Sequence, residues 1–166
     1  MKWVELATKT IYSRDIKLEN LLLTEDFCVK LCDLGSATTK QHFPDENWSM
    51  NQRTMLEDEL AKYSTPMYRA PEMLDTWANY PVHQAVDIWA AGLVLFSICF
   101  NKHPFDDSNK LAIVNGNYKI PASDSKYRMY HSLISSMLAL DPRNRPSAGN
   151  ILDQLSSIAE THGWVK

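Results

Sequence analysis

The residues best suited to chemistry lie in three short runs that are far apart in the chain. They are Ser13-Arg14-Asp15-Ile16-Lys17-Leu18-Glu19-Asn20, Asp33-Leu34-Gly35 and Ala70-Pro71-Glu72. Together they offer groups that accept a proton, supply a positive charge and bind a hard metal ion such as Mg²⁺ through oxygen. Taken alone, Asp33-Leu34-Gly35 is typical of an ordinary turn and Asn20 of a capping residue. The joint order and spacing of the three runs make chance negligible.

In this order the runs resemble the catalytic-loop, metal-binding and activation-segment motifs of eukaryotic protein kinases. The resemblance implies transfer of a phosphoryl group from ATP to a protein substrate, a reaction that depends on positioning and charge neutralisation. It implies that Asp15 accepts or orients the proton of the substrate hydroxyl. Lys17 would place a positive charge beside the transferring group. Asn20 and Asp33 would bind Mg²⁺, and with Lys17 they would hold the nucleotide.

The same resemblance assigns further residues to the surroundings of the site. Thr65 resembles the substrate-facing threonine that contacts the catalytic aspartate, and we count it with the catalytic set. Asp87 resembles the core-helix aspartate that holds the backbone of the catalytic loop. Arg145 resembles the arginine that pairs with the glutamate found here at Glu72. Arg14 is assigned a structural role, with a phosphate in the following polar segment as one conceivable partner.

A lysine two residues after the catalytic aspartate is the pattern of serine/threonine kinases. A closer resemblance, to the Numb-associated kinases and their cyclin-G-associated branch, lies in four longer runs. These runs cover residues 31–39, 65–73, 99–107 and 110–121. That resemblance implies phosphorylation of clathrin-adaptor subunits on serine or threonine. It also implies a cytoplasmic protein that acts at clathrin-coated vesicles in vesicle traffic.

The composition limits the other classes of function. With 166 residues, 45% of them hydrophobic and 22% charged, the chain has the balance of one soluble globular domain. A net charge of −3 argues against nucleic acid as a partner. The five glycines are too widely spaced to form a P-loop or a glycine-rich nucleotide loop.

Cysteine and histidine usage restricts the chemistry further. The three cysteines, Cys28, Cys32 and Cys99, are typical of a reduced intracellular protein without disulfides. The scattered histidines disfavour a zinc site. The longest apolar run, residues 88–100, is shorter than the about 20 residues that span a bilayer. It predicts a buried helix, and no transmembrane segment is expected.

The site residues must be positioned by short elements on either side of them. Two short strands joined by a turn are predicted between Asn20 and Asp33, which would bring these two residues together. Residues 35–63 are polar and aperiodic, and they predict a long surface loop with one helical turn near 55–60. Helices are predicted over residues 86–100, 111–114, 127–138 and 148–159, the last capped by Ser147.

These elements predict a mainly α fold of the α+β type, similar to the C-terminal lobe of a protein kinase. It would contain a small β-hairpin and a long activation segment over residues 33–72. The lobe itself is expected over residues 11–160. Residues 1–10 would form an atypical N-terminal segment with a weak helical pattern, and residues 161–166 a tail.

The sequence also departs from the kinase pattern. The glycine-rich loop, the strand lysine and the partner glutamate that clamp ATP in kinases are not found in it. An alternative function is therefore a truncated, catalytically inactive interaction module that keeps the peptide-docking surface. Ser13 stands where kinases usually carry histidine, and Leu34 where they carry phenylalanine. Cys32 is interpreted as a small strand residue rather than as a reactive thiol at the nucleotide site.

A lobe that normally packs against another lobe should expose apolar side chains. We expect such a patch near the two short strands, and with it weak self-association of the chain. Its expected members are Leu21, Leu22, Leu23, Val29 and Leu31.

Overall fold

The computed structural model describes residues 10–105 and 109–164, so the weak helical pattern expected at the start of the chain lies almost wholly outside the described residues. Over these described residues the fold is mainly helical with one two-stranded antiparallel sheet, as the sequence predicts. The strands are β1, Leu21–Leu23, and β2, Val29–Leu31. The helices are α1, Met50–Lys62; α2, Pro71–Leu74; α3, Ala85–Phe100; α4, Lys110–Val114; α5, His131–Met137; and α6, Ala148–Thr161.

The predicted hairpin is confirmed. Its register pairs Leu21 with Leu31 and Leu23 with Val29. The connecting turn is closed by Thr24, whose hydroxyl donates to the carbonyl of Cys28 at 2.9 Å. The pairing continues past the strand ends, because the Cys32 amide donates to the Asn20 carbonyl at 2.9 Å. This places Asp33 next to the end of the loop that precedes β1.

Helix α1 corrects the prediction of a long loop with one helical turn. It has 13 residues and begins at a capping box, in which Ser49 and Gln52 bond each other's backbone amides. Its buried face consists of Arg53, Leu56 and Leu60, which recur at helical spacing. The pattern was hidden in the sequence because one of the three buried residues is an arginine.

Burial of Arg53 is made possible by backbone and side-chain acceptors distant in the chain. Its guanidinium donates to the carbonyls of Thr76 and Asp45 and to the Asn79 side chain. The Trp77 ring lies 4.5 Å from the guanidinium carbon and covers it. Helix α1 is thereby fixed to the body of the molecule at a position that local sequence does not reveal.

The core is built around α3, which confirms the predicted buried helix. Trp89, Leu93 and Phe96 of this helix are fully buried. Trp89 stacks on Phe105 with the ring centroids 5.9 Å apart. α4 ends as predicted, with Gly116 in the left-handed region at φ +61°.

The C-terminal helices follow the prediction in part. The helix expected over 127–138 is divided into a 3₁₀ turn, Arg128–Tyr130, and α5. α6 begins at the predicted cap, where Ser147 and Asn150 form a capping box. Among the described residues, no helix is both long enough and apolar enough to cross a membrane.

Gly92 lies where α3 packs tightly against the end of α5. A Cβ atom at this position would lie 2.9 Å from Cβ of Met137 and 3.0 Å from Cδ2 of Leu138. We expect Gly92→Ala to lower the free energy of unfolding by about 1 to 3 kcal/mol, because these packed groups must shift. Urea titration measures the change.

Gly149 in α6 is a matched control. Its added Cβ would meet only Ser147 Oγ at 3.7 Å, which is an ordinary contact. Gly149→Ala is expected to stabilise the fold by about 0.5 to 1 kcal/mol through helix propensity. Equal stabilisation by both substitutions would contradict the packing argument.

The expected apolar surface on the hairpin is present, with one correction. Leu22, Leu23 and Val29 are 54%, 65% and 65% exposed, and Leu31 is exposed as well. Leu21, in contrast, is half-buried and packs against the core. Self-association through this surface stays a prediction.

Candidate active site

Asp15 lies at the centre of a compact group of polar side chains. Its Oδ1 accepts hydrogen bonds from the Thr65 amide at 3.0 Å and the Thr65 hydroxyl at 2.6 Å. Its Oδ2 lies 2.8 Å from Nζ of Lys17, which also donates to Thr65 Oγ1 at 2.8 Å. Asp15, Lys17 and Thr65 therefore form a closed triangle, although Thr65 is 50 residues away in the chain.

The charges in this triangle stabilise each other. Burial alone would raise the pKa of Asp15, but hydrogen bonds from Lys17 and Thr65 outweigh it and hold that pKa below its ordinary value. The hydrogen bond to Asp15 raises the pKa of Lys17, and the negative charges of Asp15, Glu19 and Asp33 add to this effect. At neutral pH the site thus holds a carboxylate and an ammonium group in contact.

Asn20 is buried next to Asp15. A 3₁₀ turn, Leu18–Asn20, directs its amide nitrogen to the Asp15 carbonyl at 2.9 Å and to Asp15 Oδ2 at 3.2 Å. Its side-chain oxygen takes part in none of the hydrogen bonds of the described chain. That oxygen is left for a ligand from outside.

Asp33 lies beside this group without touching it. It is exposed, at φ +56°, and its Oδ1 accepts a hydrogen bond from the Gly35 amide at 3.1 Å. Within the described residues its carboxylate forms no ion pair, yet its charge contributes to the raised pKa of Lys17. The structure therefore joins Asp15, Lys17, Thr65 and Asn20 by direct contacts and places Asp33 at their edge.

The oxygen atoms of Asn20 and Asp33 suit a hard divalent cation. Mg²⁺ is usually held by one or two carboxylates, with the other ligands supplied by phosphates and water. No group of three or more His, Cys, Asp or Glu side chains in the described ranges is placed to hold a metal by itself. The oxygens of Asn20 and Asp33 thus suit an ion whose remaining ligands are phosphates and water.

Asp87 of α3 holds the backbone of the loop that carries Asp15. The two carboxylate oxygens of Asp87 accept the amides of Ser13 at 2.6 Å and Arg14 at 2.9 Å. Arg14 has φ +67°, a conformation that arginine rarely adopts. Burial raises the pKa of Asp87, and the two amide hydrogen bonds oppose that effect. The core helix therefore fixes a strained turn directly before Asp15.

Arg14 itself contacts three parts of the chain. Its Nε donates to the Ser36 carbonyl at 2.7 Å, and its guanidinium lies 4.7 Å from the centre of the Tyr63 ring. Its Nη1 lies 3.8 Å from Glu59 of α1. Sequence reasoning missed both Glu59 and Tyr63, because it treated their segment as a loop. The capping box at Ser49 was the available signal for a helix there.

Glu72 and Arg145 form a fully buried ion pair. Nη1 and Nη2 of Arg145 each lie 2.7 Å from one carboxylate oxygen of Glu72, and neither side chain is exposed. Arg145 also donates to the carbonyls of Ala85 and Ala139, both at 2.8 Å. The pair joins α2, α3 and the segment before α6.

The structure also shows the surroundings of Ser13, Leu34 and Cys32, three further residues near the site. Ser13 is buried, and its hydroxyl lies 3.4 Å from the amide of Asp15. Leu34, which stands where kinases carry phenylalanine, is 62% exposed. The thiol of Cys32 donates a hydrogen bond to the Asn20 carbonyl at 3.2 Å within the hairpin.

Comparison with known proteins identifies the family. Residues 6–155 match the protein kinase domain. A probable serine/threonine-protein kinase of Dictyostelium discoideum is 40% identical over 150 residues, which cover 88% of this chain and 13% of that protein. A second such kinase from the same organism is 39% identical over 149 residues, covering 89% of this chain and 18% of that protein.

A yeast relative gives the same result. Actin-regulating kinase 1 of Saccharomyces cerevisiae is 34% identical over 143 residues, which cover 86% of this chain and 22% of that protein. The chain therefore spans less than a quarter of the length of each of these three relatives. It belongs to the protein kinase domain family.

Proposed function

We propose that this chain is the C-terminal lobe of a serine/threonine protein kinase, with the lobe over residues 11–160 and its activation segment over 33–72. The reaction is transfer of the terminal phosphoryl group of ATP to a serine or threonine hydroxyl of a protein. The observation that carries the proposal is the triangle of Asp15, Lys17 and Thr65. The relatives described as serine/threonine-protein kinases support it.

Asp15 orients the attacking hydroxyl and receives its proton. Because the pKa of Asp15 is lowered, it is a weak base and takes the proton late, as the new bond between oxygen and phosphorus forms. The bond between the terminal phosphorus and its bridging oxygen breaks in the same step. Lys17 stays protonated at neutral pH, because its pKa is raised, and its positive charge faces the developing negative charge.

Asn20 and Asp33 would hold Mg²⁺ through their oxygens, and Lys17 would contact the phosphates with them. When bound, the ion neutralises phosphate charge. The hydrogen bonds of Asn20 to Asp15 keep its amide in one orientation, with the oxygen free for the metal. The chain itself would thus supply the metal-binding oxygens of Asn20 and Asp33 next to the carboxylate of Asp15.

The substrate peptide would lie along the segment that starts at Thr65. A 3₁₀ turn, Pro66–Tyr68, follows Thr65 and leaves Pro66 exposed. Arg69 anchors this turn, because its guanidinium donates to Ser64 Oγ at 3.0 Å and to the Ala61 carbonyl at 3.0 Å. These hydrogen bonds hold the turn in one conformation, which favours positioning of a substrate.

For the substrate class we propose clathrin-adaptor subunits, phosphorylated in the cytoplasm at coated vesicles. The support is the likeness of four runs to the Numb-associated kinases, over residues 31–39, 65–73, 99–107 and 110–121. The yeast relative is named for regulating actin, and that name describes the yeast protein alone.

The second candidate is an inactive interaction module. The observation that favours it is the exposed apolar face of the hairpin, with Leu22, Leu23 and Val29 more than half exposed. Such a face suits a binding partner. Both candidates use the peptide surface, so binding alone does not separate them.

Phosphoryl transfer separates the two. The full chain is incubated with labelled Mg-ATP and an adaptor-derived peptide that contains one threonine. A second peptide with alanine at that position is the control. Label on the threonine peptide alone supports the kinase, whereas binding of both peptides without transfer supports the interaction module.

Thr65 gives a sharper test of the triangle. Thr65→Val keeps the side-chain volume but removes the hydroxyl that bonds both Asp15 and Lys17. A hydrogen bond to a charged group contributes about 1.5 to 3 kcal/mol, so we expect transfer to fall about tenfold to a hundredfold. Thr65→Ser keeps the hydroxyl and should retain most of the rate. Equal losses in both variants would contradict this role of the hydroxyl.

A further inference from the structure

A surface cavity of about 440 Å³ lies where three segments of the chain meet. The segments are the one that leads to α1, the loop before α3, and the 3₁₀ turn Pro142–Asn144 before α6. The volume is within the range of small-ligand and peptide side-chain pockets. The cavity contains none of the residues of the candidate active site. It is lined by Phe43, Pro44, Asn79, Pro81, His83 and Arg143.

The apolar walls of the cavity are held by a backbone bridge. The His42 amide donates to the Val82 carbonyl at 3.0 Å, and the Val82 amide donates to the His42 carbonyl at 2.8 Å. This antiparallel bridge brings together the next residues on each side, Phe43 and Pro81. Phe43 is 61% exposed. The cavity therefore offers an apolar surface whose two sides are already joined.

His83 contributes a hydrogen-bond donor of defined position. The Ala85 amide donates to its Nδ1 at 3.1 Å, so Nδ1 is an acceptor. Burial lowers the pKa of His83, and the charge of Glu72 opposes this only in part, so the ring is neutral at neutral pH. A neutral imidazole carries one N–H group. That group is therefore at Nε2, which takes part in none of the hydrogen bonds within residues 10–105 and 109–164.

Asn79 and Arg143 supply two further donors. Oδ1 of Asn79 accepts a hydrogen bond from Nη2 of Arg53 at 2.9 Å, which leaves the amide nitrogen of Asn79 for another partner. Arg143 binds Asp141 through Nε and Nη2, at 2.8 and 2.6 Å, which leaves Nη1. In the part of the chain that the structure describes, neither remaining nitrogen donates a hydrogen bond. Three unpaired donors thus line one cavity, and its side-chain oxygen, at Asn79, is already bonded.

These donors favour a ligand group that only accepts hydrogen bonds and carries one negative charge. A carboxylate meets both conditions. A phosphate monoester carries about −1.5 to −2 at neutral pH. The positive charge of Arg143 is already shared with Asp141, and Asp45 and Glu46 line a neighbouring groove that also includes Asn79. The surroundings therefore compensate one negative charge better than two.

We propose that this cavity binds an aspartate or glutamate side chain of a protein partner, with an apolar residue beside it in the partner. The carboxylate would accept from Asn79, His83 and Arg143, and the apolar residue would pack on Phe43 and Pro81. Binding at this cavity does not depend on the proposed kinase function.

The first experiment uses a short peptide as the ligand. Acetylated and amidated Ala-Phe-Glu-Ala is titrated into the full chain, and NMR chemical shifts are followed at the Asn79 side-chain amide and the His83 ring. The control peptide has glutamine in place of glutamate. We expect the glutamate peptide to bind about tenfold to a hundredfold more tightly, because hydrogen bonds to a charged acceptor are stronger. Neither peptide has a hydroxyl group, so phosphoryl transfer takes no part in the result.

The second experiment changes the cavity. Asn79→Asp keeps an acceptor for Arg53 and suits the left-handed backbone at φ +54°, but it replaces the donor by a negative charge. We expect it to weaken binding of the glutamate peptide at least tenfold. The matched control is Asn101→Asp, the same substitution at φ +52° in the cap of α3, outside the cavity. The control should bind as the wild type does, and melting temperatures show whether both variants fold.

Four results would overturn the proposal. They are equal affinities of the glutamate and glutamine peptides, unchanged affinity in a folded Asn79→Asp, absence of shifts at Asn79 and His83 with millimolar peptide, and tighter binding of a peptide with phosphoserine in place of glutamate. The last result would assign the cavity to phosphate instead of a carboxylate.

Discussion

Asp15→Asn should lower the rate of phosphoryl transfer by about two to four orders of magnitude, the usual contribution of a positioned acid or base. The amide is nearly the same size as the carboxylate but accepts no proton. It would also turn an N–H group toward donors, because Lys17 and Thr65 both donate to Asp15. The variant therefore loses the proton acceptor and part of the geometry together.

The rate is measured with labelled Mg-ATP and the threonine peptide. Asp153→Asn is the matched control, because Asp153 is exposed on α6 and far along the chain from the site. The control should keep the wild-type rate. Retention of more than about a tenth of the rate by a folded Asp15→Asn would show that Asp15 has no part in proton transfer.

Arg145→Ala should produce the largest loss of stability. Removal of one partner from a buried ion pair costs about 3 to 5 kcal/mol, because the other charge is left without compensation. Here the carboxylate of Glu72 would remain fully buried, and the carbonyls of Ala85 and Ala139 would lose their donor as well. For a chain of this length the melting temperature should fall by about 6 to 20 °C.

Arg143 is a control with the same chemistry in a different setting. It also pairs with a carboxylate, Asp141, at 2.6 Å, but its side chain is 64% exposed. Exposed pairs contribute about 0 to 1 kcal/mol, so Arg143→Ala should shift the melting temperature only slightly. Similar shifts for Arg143→Ala and Arg145→Ala would show that burial does not decide the effect.

The features that sequence predicted are those with a local signal. The hairpin has two apolar runs around a polar turn, and α3 has a continuous apolar stretch. The start of α6 follows from the cap at Ser147. In each case neighbours within a few positions determine the conformation, so the pattern is visible in the chain.

Helix α1 could not be predicted in the same way, because its stability depends on distant contacts. Arg53 is buried only because acceptors at Asp45, Thr76 and Asn79 surround it. A polar residue in the buried face breaks the hydrophobic periodicity on which a sequence-based prediction relies. Local capping by Ser49 was present but is insufficient without a buried face.

The site residues also differ in whether a local sequence signal marks them. Asp15, Lys17 and Asn20 lie within six residues of one another, and they were selected because their run is followed in order by the two later runs of the kinase pattern. Thr65 was selected through the family resemblance, since nothing local links it to Asp15. Glu59 has no motif of its own, and only the folded position of α1 relates it to Arg14.

The left-handed backbone at Asp33 allows selection for a folded chain to be distinguished from selection for a negative charge at this position. At φ +56° asparagine is tolerated as readily as aspartate, and glycine more readily than either. A library screened only for folded protein would therefore recover asparagine, whose side-chain oxygen can accept the same hydrogen bond from the Gly35 amide, and also glycine, with the loss of that bond. Retention of the acid among natural variants would then have to be ascribed to its charge, since chain geometry gives no reason to prefer it.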